Sequence, residues 1–139
     1  MIDFENTKSD RRERVFQMLF SVDFSSTPDG TPDIKYFYDE EDNIPTSGYV
    51  YDTFYGVVNY ISEADCKIEA DSKNWSVSRM SGVTRTILRL AIYELLCTET
   101  PPKVAINEAV ELSKKFGDEN EPNFVNGILN RIAKDENKL

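Results

Sequence analysis

Apolar residues recur every three or four positions in five stretches of this chain, the spacing of a buried helical face. The clearest pair lies between Pro101 and Arg131, in PPKVAINEAVELSKKFGDENEPNFVNGILNR. Ala105, Ala109, Leu112 and Phe116 fall at i, i+4, i+7 and i+11, and Ile106 and Val110 widen that face. Asn107, Glu108, Glu111, Lys114 and Lys115 take the other side. Pro101 and Pro102 suit the start of this helix, and Gly117 stands where a left-handed C-cap belongs. After an acidic turn, Pro122 opens a second helix with Val125, Ile128, Leu129 and Ile132 at core spacing. Gly127 inside it costs about 1 kcal/mol relative to Ala, which suits close approach of another backbone there, with chance placement the alternative.

Earlier in the chain the same period predicts three more helices. The first starts near Ser9 or Asp10, both acceptable N-caps, and runs RRERVFQMLFSVDF. It carries Val15, Met18, Leu19 and Val22 on one face, with Phe16 and Phe20 beside it. Arg11, Arg12 and Arg14 crowd its first turn, where cations oppose the helix dipole. Such a placement suits either a partner for the arginines or a solvated basic end. The second helix spans Tyr49 to Ile68, and the third, Val83 to Cys97, is apolar around most of its circumference and is expected at the centre. Glu94 lies in line with Leu90 and Ile87 on that apolar surface, so it must be paired with a basic side chain or capped by free amides. Arg85, Arg89 and Tyr93 form the remaining polar strip, open either to a partner or to solvent, and Cys97 is assigned to the core. Between helices, Ser25 to Gly48 is punctuated by Pro28, Gly30, Pro32 and Pro45 and reads as a solvated acidic loop around Asp39 to Asp42. Ala70 to Ser81 reads as a short connection in which Trp75 is taken as a core anchor in preference to a stacking platform.

Charge changes the picture only once it is divided along the chain. The net charge is −9, but residues 1–24 carry four basic and five acidic side chains, and residues 73–139 carry ten and nine. The deficit sits in residues 25–72, with two basic and eleven acidic groups, so either end can still present a local basic surface to a polyanion. The length of 139 residues supports one domain, 1–139, with a core of its own. Cys66 and Cys97 lack CxxC spacing and suit reduced thiols in a cytosol. The first ten residues, MIDFENTKSD, contain no apolar signal region, and no apolar run approaches a membrane span of about 20 residues.

The chemistry of catalysis is not legible. With no histidine there is no Ser-His-Asp or Cys-His arrangement and no imidazole ligand for a metal. Neither GxxxxGK[ST] nor GxGxxG occurs. The run Asp39-Glu40-Glu41-Asp42 lacks the Gly and the bidentate Glu of a calcium loop. No cofactor, no metal and no enzymatic activity are expected.

Three stretches together carry a resemblance: RERVFQMLF from Arg12 to Phe20, the run from Asn74 to Leu95 with ILRLAIYEL, and VAINEAVELSKKFG with NFVNGILNRI. In order and wording they resemble the NusB family of bacterial transcription antitermination factors, over nearly the whole chain and least so in residues 25–48. The resemblance implies an all-α fold of two small helical bundles packed against each other, and a cytoplasmic role without catalysis. It implies binding of boxA RNA in nascent transcripts together with the ribosomal protein NusE, in a complex that makes RNA polymerase resist termination on ribosomal RNA operons. It also implies RNA contacts at Lys8, Arg11, Arg12, Phe20, Asn123 and Phe124. Here the family's arginine-rich motif reads Lys8-Ser9-Asp10-Arg11-Arg12, interrupted by an acid, and Asn123 stands where relatives often carry a base. Single-stranded RNA is read through bases stacked on aromatic or guanidinium planes, with cations tracking the phosphates. The alternative is a NusB-like protein-interaction module, monomer or homodimer, whose RNA contact has lapsed.

Overall fold

The computed structural model describes residues 7–23, 33–72 and 75–139. Residues 1–6, and Pro28, Gly30 and Pro32 of the acidic segment, lie outside the described residues. Five α-helices account for most of what is described: α1 (Lys8–Asp23), α2 (Gly48–Ser72), α3 (Gly82–Cys97), α4 (Pro102–Phe116) and α5 (Glu121–Asp135). Short 3₁₀ turns at Ile34–Phe37, Glu41–Asn43 and Val77–Arg79 fill the connections, and no strand occurs among the described residues.

As its all-round hydrophobicity predicts, α3 is the centre and packs against each of the other four helices. Ile87, Leu88, Leu90, Ile92 and Leu95 are all buried. With α1 and α2 it forms one small bundle, with α4 and α5 the other, and α2 also meets α5. The predicted core faces of α4 and α5 are observed: Ala105, Ala109, Leu112, Val125, Ile128, Leu129 and Ile132 are buried.

Two helix starts show how local chemistry fixes boundaries. Helix α1 begins earlier than expected because Thr7 caps it: the Asp10 amide donates to Thr7 Oγ1 at 3.0 Å, and the Thr7 amide donates back to Asp10 Oδ2 at 3.4 Å. This reciprocal pair is a capping box. At α3 the cap is Ser81, whose Oγ accepts from the Thr84 amide at 3.1 Å.

Several expectations are corrected. Helix α2 runs on to Ser72, so the connection to α3 is shorter than the one expected from Ala70. Cys97 is exposed, because it continues the Arg89–Tyr93 strip at i+4 spacing instead of the apolar face. Gly127 does not admit a neighbouring backbone; a Cβ there would meet only the Arg131 guanidinium at 3.8 Å. Gly117 is extended, at φ −103° and ψ 179°, not left-handed. What excludes a side chain there is contact: a Cβ would overlap the Glu121 carboxylate and sit 2.9 Å from the Ser113 carbonyl. Gly117→Ala is therefore expected to destabilise by about 1–3 kcal/mol through overpacking, read as a lowered urea midpoint. A loss under about 0.5 kcal/mol would mean that Glu121 swings aside and the backbone contact relaxes.

The polar strip of α3 is neither solvated nor vacant. Arg85 Nε donates to both Asp23 carboxylate oxygens at 3.0 Å, and Arg85 NH1 donates to the Met80 carbonyl at 2.7 Å. Arg89 holds Asp65 through Nε at 2.8 Å and NH2 at 2.9 Å, and reaches Asp23 at 3.3 Å. Burial is the largest single influence and disfavours the Arg89 cation, but the bonds and charges of Asp65 and Asp23 together outweigh it and its pKa is pushed up. Asp23 is the last residue of α1 and Asp65 lies on α2, so the strip clamps three helices.

Candidate nucleic-acid interface

The first turns of α1 assign its basic residues three different environments. Lys8 is exposed, with its ammonium 5.3 Å from the centre of the Tyr49 ring. Arg11 is half-buried. Arg14 donates to the Phe37 carbonyl at 2.7 Å, with its guanidinium 5.0 Å from the Tyr38 ring centre. Arg12 turns inward and is 3% exposed.

Inside, Arg12 meets the odd glutamate of α3. Its Nε donates to Glu94 Oε1 at 2.6 Å and its NH2 to Glu94 Oε2 at 2.9 Å, a two-pronged pair of planar groups. The Tyr49 hydroxyl donates to the same Oε1 at 3.1 Å, and Thr100 Oγ1 to Oε2 at 3.3 Å. Arg12 NH1 also lies 3.4 Å from Glu108, which accepts from Ser9 Oγ at 2.7 Å. Burial works against the Arg12 cation, yet the bond and charge of Glu94 prevail, and its pKa is pushed up. Of the two solutions that Glu94 allowed, a basic partner is the one observed. The arginine that sequence reasoning offered to RNA is thus withdrawn from the surface, since a buried carboxylate needs it more.

The aromatic candidates fall into separate groups. Phe20 stacks on Phe16 with ring centres 5.9 Å apart, and Phe16 in turn lies 5.0 Å from Phe116 at the end of α4. The backbone then passes through Gly117 to Phe124, in the first turns of α5, with Asn123 exposed beside it. Phe124 lines a depression of about 350 Å³ together with Trp75, Arg79, Met80 and Glu121. Trp75 is not the expected core anchor; it is 53% exposed. Its segment has no apolar period to hold it inside, and that missing period was the available signal. Tyr49, whose place in the sequence pattern marks only the start of a helix, carries Lys8 and Arg12 on its ring and Glu94 on its hydroxyl.

Among the described residues, no group of three or more His, Cys, Asp or Glu side chains is arranged to hold a metal ion, and no helix is long and apolar enough to cross a membrane. The molecule is an all-helical protein with a cation-and-aromatic edge at the start of α1 and an aromatic depression at the start of α5. Residues 9–134 match the NusB family, and the chain belongs to that family. It is 42% identical over 125 residues to the transcription antitermination protein NusB of Geobacter sulfurreducens, covering 88% of this chain and 90% of that protein. Among solved structures it is similar to T. maritima NusB, with 34% identity, a TM-score of 0.72, and 93% of this chain and 92% of that one covered. It is also similar to a chain in the structure of the antitermination factors NusB and NusE in complex with dsRNA, with 30% identity and a TM-score of 0.75. That likeness covers 92% of this chain and 96% of the other.

Proposed function

We propose that this protein is a non-catalytic transcription antitermination factor that binds boxA-type RNA together with the ribosomal protein NusE. It acts in the cytoplasm on RNA polymerase during transcription of ribosomal RNA operons. The observation that supports this most is the similarity, over nearly the full length of both chains, to a NusB solved with NusE and RNA. Lys8 and Arg11 are the cations of the interface, Phe20, Asn123 and Phe124 its base-facing part, and Arg12 supports it from inside. An interrupted basic run and a buried arginine leave few phosphate contacts, so the protein partner supplies a large share of the affinity.

The test is a titration of labelled boxA RNA and a scrambled control, with and without NusE, at two salt concentrations. The expected result is selective binding, strengthened by the partner, with a shallow salt slope of about 0.7 per phosphate contacted. Lys8→Ala should lower that slope by about one such contact without moving the unfolding midpoint. Absence of selective binding even with NusE would leave the protein-interaction module as the reading.

A further inference from the structure

Lys8, the first cation of α1, does not stand alone: its ammonium lies 5.3 Å from the centre of the Tyr49 ring on α2. We propose that Tyr49 is a positioning residue of the interface, whose ring holds the Lys8 ammonium at the start of α1 ready for a phosphate. The inference rests on the RNA-binding reading and adds to it a residue of α2 that acts through Lys8.

A lysine in the first turn of a helix is poorly placed by itself. The unsatisfied amides there oppose a cation, and its four-carbon stem spreads the charge over many rotamers. Immobilising such a side chain only at the moment of binding weakens the contact it makes. Among the described residues Lys8 is in no ion pair, and the Tyr49 ring is the contact that fixes it. An aromatic face attracts an ammonium within about 6 Å of its centre and leaves the charge intact, whereas a carboxylate would cancel it. The ammonium carries several N–H donors, and those turned away from the ring stay open to a phosphate oxygen.

The ring is itself held in place. Gly48, at φ +90°, turns the chain into α2 in a conformation that glycine adopts without strain, and sets Tyr49 in the first turn. The Tyr49 hydroxyl donates to Glu94 Oε1 at 3.1 Å, on the carboxylate that Arg12 grips at 2.6 Å and 2.9 Å. The Arg12 guanidinium also lies 5.6 Å from the ring centre. The backbone beside Lys8 is docked as well, since Ser9 Oγ donates to Glu108 Oε1 of α4 at 2.7 Å. Platform and lysine are thus tied to one polar cluster, and tertiary structure sets the distance between them. A tyrosine needed only for stability would require its hydroxyl on Glu94 and its apolar bulk; neither requirement places a lysine over its ring.

The test is a double-mutant cycle, read by binding of labelled boxA RNA to the full chain in the presence of NusE. Tyr49→Leu should weaken binding about 2- to 12-fold, the affinity equivalent of immobilising one flexible side chain, in the parent but not in the Lys8→Ala background. Tyr49→Phe keeps the ring and should restore most of the affinity while remaining less stable than the parent. Equal weakening by Tyr49→Leu in both backgrounds assigns Tyr49 to stability alone and overturns the inference, as does unchanged affinity for Tyr49→Leu. The Lys8 ε-methylene protons give a second measurement, made on the parent and independent of how any variant folds. The ring current should shift them upfield of an exposed lysine, and the shift should persist when RNA is added. Unshifted protons in either state overturn the inference. Selective RNA binding that Lys8→Ala leaves unchanged removes Lys8 from the interface and this inference with it, but leaves the RNA reading intact. No RNA binding with or without NusE removes both.

Discussion

Arg12→Ala is expected to destabilise the protein by about 3–5 kcal/mol, a large part of the roughly 5–15 kcal/mol that holds a domain of this kind together. The substitution leaves Glu94, 1% exposed, without its counter-charge and with only the hydroxyls of Tyr49 and Thr100 near its oxygens. Stranding a buried carboxylate costs far more than a surface ion pair contributes, because its desolvation is no longer offset by a paired cation. Urea unfolding followed by far-UV circular dichroism reads the loss directly. Replacing both partners together, as Arg12→Met with Glu94→Leu, should recover much of the stability, since the desolvation cost disappears with the charges. A loss below about 1 kcal/mol for Arg12→Ala would contradict the buried pair. There is a consequence for function as well. Loss of RNA binding by Arg12→Ala is expected to follow from unfolding, so phosphate contact is to be probed at Lys8 and Arg11.

Alkaline pH should expose the same network from its other side. Burial first, and the Glu94 charge second, hold the Tyr49 phenol protonated, with its pKa raised from the usual 10.0. Tyr60 is pushed up to about 12, again mainly by burial and then by its neighbour Cys97. A phenol with a raised folded pKa binds its proton more tightly when folded than when unfolded. Its stabilisation is complete below pH 10 and is lost as pH rises through the folded value. Stability should therefore fall above pH 10, with Tyr49 alone contributing about 1.4 kcal/mol per pH unit. Tyr49→Phe should lower stability at neutral pH, through loss of the hydroxyl bond to Glu94, and flatten the decline between pH 10 and 12. The unfolding midpoint measured across that interval decides it: parallel declines for the parent and Tyr49→Phe would show that the phenol does not carry the effect.

The chain by itself determined the helices, because a helix is a local object and its buried face is written in residues three and four apart. The period of α4 and α5, the centrality of α3 and the need of Glu94 for a partner were all legible without coordinates. So was the resemblance, which is carried by ordered strings of residues. Side-chain destinations were not. Arg12 and Lys8 sit in the same short basic run, and only packing of α1 against α3 and α4 shows that one is buried against Glu94 and the other rests on Tyr49 in solvent. Cys97 and Trp75 were misplaced for related reasons. The end of a helix and a turn between helices have no period to state which way they face. Gly117 kept its necessity but changed its cause, from backbone conformation to the nearness of Glu121 and Ser113. What the tertiary structure alone decided is which charges are sealed inside and which aromatics are left outside. Burial depends on what distant segments bring to a residue, and a pattern along one chain does not record that.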